Sequence, residues 1–303
     1  MPSPVALFVY NRPLHTRQTV EALQRNDLAC ETALHLFSDG PRTPSAAPAV
    51  EAVRRYLRGI QGFRRVTIVE RPTNLGLSQS IIQGVTEVVG DRGRVIVLED
   101  DLVTSPHFLR FMNAGLDLYE QEEKVISIHG HMYPLGIRLP ETFFLRGADC
   151  WGWATWKRGW DLFEPDGRKL QAQLRRRGLE RAFDLDGACP YTRMLADQIA
   201  GRNDSWGILW HASAFLNDRL SLNPARSVVL NIGDDHSGTH SGSARAFRVD
   251  LASTPIRLDP IAIEESIDAR DGIRDFLKAW RRSSFLSRAA GKVLRVAGRF
   301  AAR

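Results

Sequence analysis

The sequence predicts an α/β fold built on a mainly parallel sheet with helices on both faces. Three observations predict it. In the first hundred residues four short apolar runs are separated by three segments with helical spacing of apolar residues. The last run, RVIVLE at 94–99, is the most apolar, as a strand covered on both faces should be. Each run ends in a polar or glycine-bearing turn signal, which is where a strand hands over to a helix.

Taken in order, VALFVY (5–10) is the first strand and stops at Asn11-Arg12-Pro13. Pro13 suits the first turn of a helix, because its missing N–H would have no partner there, and Thr19, Val20 and Leu23 supply that helix's apolar face. ALHLFS (33–38) is the second strand, broken at Asp39-Gly40-Pro41. A helix is predicted from about Ala47 to Gly62, a strand at RVTIVE (65–70), a helix from Leu77 to Val89, and the fourth strand at 94–99. Beyond Leu102 the spacing predicts a helix from about Ser105 to Glu122 and strands at VISIHG and TFFLRG. A tryptophan-dense stretch follows, then helices to about Leu220 and a strand at SVVLNI. Trp151, Trp153, Trp156 and Trp160 recur at steps that suit one face of a helix.

In open parallel sheets ligands bind beyond the carboxyl ends of the strands. Here those ends are Asn11-Arg12, Asp39-Gly40, the segment Arg71 to Gly76, and Glu99-Asp100-Asp101. They should meet on one rim and form the site.

At 303 residues, 43% hydrophobic and 25% charged, the chain has the composition of an ordinary globular protein with ample core. Cys30, Cys150 and Cys189 are three and widely spaced, which argues against a disulfide framework or a zinc site and for a reducing compartment. The opening MPSPVALFVYNRP reads as no signal peptide, and no stretch approaches the ~20 apolar residues of a membrane span. The expectation is a cytoplasmic protein. Its net charge of +6 is concentrated at the C-terminus: residues 272–303 hold nine Lys or Arg against one acid, Asp275, leaving 32 basic and 34 acidic residues elsewhere. A near-neutral body with a basic tail predicts no nucleic-acid partner.

Three adjacent carboxylates at the end of a buried strand repel one another unless a cation or solvent relieves them. Hard divalent cations, Mn²⁺ or Mg²⁺, prefer such oxygens and keep positions open for substrate phosphates. The residues alone leave open whether the acids hold a metal or merely cap the helix predicted near Ser105.

The segment VIVLEDDLVTSPHFLRFMN resembles the donor site of GT-A glycosyltransferases, where a DxD or EDD motif binds metal and nucleotide. More narrowly, it is similar to the N-acetylglucosaminyltransferase I class and to bacterial sugar transferases. FVYNRP resembles the first-strand end that grips nucleobase and ribose, and FSDG the second-strand end whose Asp binds the base. Asn74-Leu75-Gly76-Leu77 resembles the element leading into the donor-binding helix, while CWGWATWKRGW, NDSWGILW and NIGDDHSGTHSG resemble acceptor-side motifs. The likeness covers roughly residues 5 to 242.

It implies a Rossmann-like GT-A (nucleotide-diphospho-sugar transferase) fold and an inverting, metal-dependent transfer of a sugar. The donor would be a nucleotide-diphosphate sugar, UDP-linked, and the acceptor a glycan or lipid-linked sugar. Residue by residue, it makes Asp101 the metal ligand, with Glu99 and Asp100 on the donor sugar and ribose. Arg12 and Asp39 would face the nucleobase, and Asn11, Arg71, Asn74 and Gly76 complete the donor-binding set. Inversion requires a carboxylate to take the acceptor's hydroxyl proton. Asp204 matches best, although Ser205 follows it where the eukaryotic motif has a second acid. Asp204 also suits an N-cap. Trp151, Gly152, Trp153 and Trp206 are the acceptor-binding candidates, because sugars stack their C–H faces on aromatic rings. One or two of the clustered tryptophans should serve in this way and the rest lie in the core. His240 is favoured over His236 as a further metal contact.

The predicted organisation is a GT-A domain over 1–250, divided into a donor half at 1–101 and an acceptor half at 102–250, with a C-terminal extension over 251–303. The globular part should end near 245–260. From Leu286 onward apolar residues recur at helical spacing beside a stripe of Arg288, Lys292, Arg295 and Arg299. That pattern predicts an interfacial helix on anionic lipid and hence a peripheral enzyme on the inner face of the cytoplasmic membrane. Two other readings stand beside the transferase. A sugar nucleotidyltransferase would want a glycine-rich basic loop where Asn11-Arg12-Pro13 stands. A non-catalytic nucleotide-sugar-binding protein would not need the intact acids and Asp204.

Overall fold

The computed structural model describes residues 1–233, 235 and 247–300, with side chains described through residue 283. Strands β1 (Val5–Val9), β2 (Ala33–Ser38), β3 (Arg65–Glu70) and β4 (Arg94–Glu99) alternate with helices α1 (Pro13–Gln24), α2 (Ala47–Leu57) and α3 (Leu77–Arg92). They pair in parallel in the order β3-β2-β1-β4. The second half supplies β5 (Leu102–Thr104), α4 (Phe108–Leu118), β6 (Val125–His129), β7 (Thr142–Arg146), β8 (Trp153–Trp156) and α5 (Lys157–Trp160). Helices α6 (Gly167–Arg176), α7 (Glu180–Phe183), α8 (Tyr191–Ile199) and α9 (Trp206–Leu216) follow, then β9 (Leu220–Pro224), β10 (Val229–Asn231) and α10 (Ile267–Phe300).

The main sheet has eight strands, ordered β3-β2-β1-β4-β8-β6-β9-β7. β8 runs antiparallel to both β4 and β6, so the sheet is parallel in its first half and mixed in its second. β5 and β10 form a separate antiparallel pair.

Period-two alternation sorts the core into two layers. Val5, Leu7 and Val9 join Ile96 and Leu98 on the face covered by α1, α2 and α4, where Val20, Leu23, Val53, Leu57 and Phe111 pack. Ala6 and Phe8 join Val95 and Val97 on the opposite face, covered by α3 and α9 through Ile81, Val85, Trp206 and Trp210. A smaller core holds α6, α8 and α9 together around Leu174, Leu195 and Leu209.

Three features depart from the sequence expectations. The tryptophan-dense stretch is first a strand and only then a helix: Trp153 buries on the α3–α9 face, Ala154 and Trp156 on the other, and Trp160 belongs to α5. The steps that suit a helix face therefore cross an element boundary. Helix does not reach Leu220 either, because Leu220–Pro224 is a fully buried strand between β6 and β7. Finally, packing continues past residue 250. Ala252 and Ile256 join the main core, and the first turns of α10 bury Ala269, Ile273 and Leu277 against Met132 and Phe143.

Candidate active site

Because β1 to β4 are parallel and adjacent, their carboxyl ends lie along one edge of the sheet. The predicted rim forms there, around a cavity of about 330 Å³. Asn11 and Arg12 after β1, Asp39 after β2, Asn74 and Gly76 before α3, and Glu99 and Asp100 at the end of β4 all line it. Asp204, from far along the chain, closes one side.

The acids are arranged around one guanidinium. Arg12 Nη2 donates to Asp100 Oδ1 and, at 2.9 Å, to Asp101 Oδ2. Burial opposes the Arg12 charge, but Asp100 and Asp101 outweigh it and hold the group more firmly protonated than usual. One cation against three acids leaves the cluster short of positive charge. Burial first, then the charges of Asp101 and Asp100, push the Glu99 carboxyl well up, while the Trp206 side chain bonds to it. Burial likewise raises Asp100 despite Arg12. Arg12 Nη1 is buried with no hydrogen-bond partner, an unspent donor beside the cavity. Asp101 flanks the cavity without lining it: Ile232 N donates to its backbone carbonyl at 2.8 Å, and a Cβ on Gly233 would stand 2.2 Å from its Oδ2, which Arg12 holds.

Hard, mutually repelling oxygens beside an unneutralised negative cluster fit a divalent cation. Among the described residues no three His, Cys, Asp or Glu side chains converge as a complete ligand set. An ion would thus be held by Asp101 with one more carboxylate and complete its shell from water or phosphate oxygens. His240 and His236 lie outside the described residues.

Asp39 lines the cavity, and its carboxylate bonds Gly40 and the 74–76 loop. Oδ1 accepts from Gly40 N and Leu75 N at 3.0 and 2.9 Å, and Oδ2 from Asn74 Nδ2 and Gly76 N, both at 3.0 Å. It ties the 74–76 loop to β2 while lining the cavity. Gly76 adopts φ +79, a conformation that favours glycine, and this aims its N–H at Asp39. Arg71 stands outside the cavity lining, its guanidinium bonded to Gln83 Oε1 on α3 at 2.8 Å.

Asp204 does not cap its own helix. Ser205 caps α9 by accepting from Ile208 N, and Asp204 Oδ2 accepts from Ser78 N at 3.2 Å, in the first turn of α3. The other oxygen, Oδ1, has no hydrogen-bond partner among the described residues. Trp153 is fully buried and cannot touch an acceptor. Gly152 is buried as well, and its missing side chain makes room for Val229, not for a sugar. Trp206, buried and stacked on Trp153 at 5.4 Å, acts as the wall behind Glu99. Half-buried Trp151 packs edge-on to His131 at 4.7 Å. Sequence reading missed Tyr10 and Arg42. Both line the cavity, and the exposed Arg42 guanidinium makes no hydrogen bond or ion pair among the described residues. Its place three residues past Asp39 was the available signal.

Residues 5–131 match the family model of glycosyl transferase family 2. The match takes in the four parallel strands and the acids at 99–101. Solved structures similar to this chain include S. aureus TarS residues 1–349, with 10% identity and a TM-score of 0.42 over 75% of this chain and 59% of that one. S. aureus TarS matches at 14% identity and 0.33, over 48% and 24% of the two chains. The mannosyltransferase PcManGT from Pyrobaculum calidifontis, solved with GDP-Man and Mn²⁺, matches at 13% and 0.38, over 71% and 72%. The chain thus spans less than two thirds of either TarS chain. No curated protein matches it by sequence.

Proposed function

We propose that the chain transfers a sugar, with inversion, from a nucleotide-diphosphate sugar, UDP-linked, to a hydroxyl of a glycan or lipid-linked acceptor. The observation that carries this reading is the convergence of four strand ends and Asp204 on one acid-lined cavity. Its volume falls within the roughly 300–1,000 Å³ of small-ligand sites.

In this reading the acceptor oxygen attacks the anomeric carbon as the carbon–oxygen bond to the diphosphate breaks. Asp204 Oδ1 takes the hydroxyl proton, and the nucleoside diphosphate leaves with the bonding pair. Asp204 is already held by Ser78 N, so its free oxygen keeps one orientation. Arg12 Nη1 and Arg42 are the uncommitted donors for phosphate oxygens. Asp101 and Glu99 would hold Mn²⁺ or Mg²⁺, which when bound neutralises charge developing on the leaving group. A nucleotidyltransferase would need a glycine-rich phosphate loop after β1, and the Tyr10-Asn11-Arg12-Pro13 connection has no glycine. The tail beyond residue 283 we assign to contact with an anionic membrane surface, from its sequence pattern.

Titration with uridine diphosphate and Mn²⁺, followed by hydrolysis of UDP-N-acetylglucosamine without acceptor, tests the site. Asp101→Ala should lower hydrolysis by about a hundredfold or more, the scale of losing several kcal/mol of charge stabilisation, with unchanged melting. A wild-type chain that binds neither uridine nor guanosine diphosphate with Mn²⁺ would refute the transferase reading.

A further inference from the structure

Past the last paired residues of β2 and β3, Ser38 and Glu70, the chain leaves the sheet twice. Asp39-Gly40 departs from β2 and the segment 71–76 from β3, and together they supply Asp39, Asn74 and Gly76 to the cavity. The two exits touch. A Cβ on Gly40 would stand 2.5 Å from the Thr73 carbonyl carbon, and Asn74 Nδ2 donates to Gly40 O at 2.8 Å. Carbonyls beyond the end of a ladder have lost their sheet partners and need other donors.

Arg54 supplies those donors from α2. Its Nη2 donates to Arg71 O at 2.6 Å and, over longer distances, to Asp39 O at 3.3 Å and Ser38 O at 3.4 Å. Its Nε donates to Ser38 Oγ at 3.2 Å. One guanidinium therefore holds the exits of both strands. The helix that carries it is anchored in turn, because Val50, Val53 and Leu57 are buried. Glu70 Oε2, 3.9 Å from Nε, offsets the charge, and Arg58, one turn further along α2, grips the same carboxylate at 2.9 Å from the exposed side.

Arg54 does not itself line the cavity. It acts on both ends of one loop. At the start it bonds Arg71 O directly; at the far end it works through Asp39, whose carboxylate bonds Asn74, Leu75 and Gly76. We infer that Arg54 is a positioning residue for the nucleotide, holding Asp39 and the 71–76 loop in the arrangement that the donor's nucleoside meets. The inference rests on the transferase reading and deepens it. The planar fork reaches Ser38 Oγ and Arg71 O together through Nε and Nη2, which a lysine ammonium, a single point charge, does not reproduce. The reacting end of the cavity is held by other means: Arg12 bonds the acids, and Ser78 N bonds Asp204 from α3, whose Ile81 and Val85 lie in the core. Loss of Arg54 should therefore appear in nucleotide affinity and not in turnover.

Calorimetric titration of the full chain with uridine and guanosine diphosphate in the presence of Mn²⁺ gives the affinity. Hydrolysis of the matching donor, UDP-N-acetylglucosamine or GDP-mannose, gives kcat. Arg54→Ala should weaken binding of the nucleotide that the wild type takes by about tenfold or more, the scale of a lost charged hydrogen bond, with kcat within about twofold. Arg54→Lys should fall between. Arg58→Ala removes the same charge one turn away and should bind as the wild type does. If Arg54 works through the loop, its effect on binding and that of Asn74→Ala should be less than additive, whereas independent damage adds. If Arg54→Ala does not melt cooperatively, Arg54→Lys carries the affinity and additivity comparisons. Wild-type affinity in the Arg54 variants, an equal loss in Arg58→Ala, a fall in kcat at unchanged affinity, or full additivity with Asn74→Ala would overturn the inference. A wild type that binds neither nucleotide would instead sink the transferase reading.

Discussion

Arg12 holds two carboxylates with one nitrogen and keeps the other buried without a partner. The arrangement leaves Glu99 and Asp100 readier to keep a proton than free carboxylates. The sign of the pH effect follows from that. A carboxyl whose folded-state affinity for protons is raised stabilises the protein while protonated, and this contribution fades as pH climbs from the ordinary 4.5 through the Glu99 value of about 8. Melting temperature without metal should therefore fall between about pH 5 and about pH 8, by on the order of 2–4 °C for each kcal/mol lost. The upward shift produced by Mn²⁺ should be larger at the alkaline end, because a metal ligand must first lose its proton. Scanning calorimetry at both pH values decides the matter. A flat profile with equal Mn²⁺ shifts would show that the acids are already balanced.

Strand β8 shows how an element can contradict its own spacing. Trp153, Ala154 and Trp156 alternate between two cores as strand residues do, whereas the step from Trp156 to Trp160 belongs to the short helix that follows. Single-chain periodicity cannot see that boundary, because the strand exists only by pairing with β4 and β6, distant in sequence. Trp153→Ala should cost about 3–5 kcal/mol of stability, as for other large core truncations, while leaving nucleotide affinity nearly unchanged. Chemical denaturation beside a uridine diphosphate titration would check both halves. A Trp153→Ala protein of wild-type stability that lost sugar binding would restore the acceptor role. The first four strands, by contrast, were legible almost residue for residue. β2, β3 and β4 begin and end where their apolar runs do.

Across the whole molecule, α10 joins two different regions in one helix. Ile273 and Leu277 are buried in the body, whereas residues 284–303 carry five Lys or Arg and no acid. No described helix is long and apolar enough to cross a membrane. A chain ending at Ser283 should melt as the intact chain does and lose affinity for phosphatidylglycerol vesicles by about a hundredfold or more, since each basic residue near such a surface is worth about 1 kcal/mol. Sedimentation with the vesicles measures this. Undiminished binding would place the membrane contact elsewhere. Cutting at Gly272 instead would remove core residues and confuse the two effects.

Local pattern was enough to announce the parallel half-sheet, the polar rim at its strand ends and the acids at 99–101, because adjacent parallel strands must deliver their ends to one edge. What each side chain does there depended on partners hundreds of atoms away along the chain. Asp39 reads as a ligand-facing acid, and folding adds that the 74–76 loop bonds both its oxygens while it lines the cavity. Asp204 reads as the cap of α9 until α3 arrives beside it. His129 and Asp149 carry no motif at all. Their meeting arises from folding, which brings β6 and the turn before β8 together and sets the two side chains 3.8 Å apart.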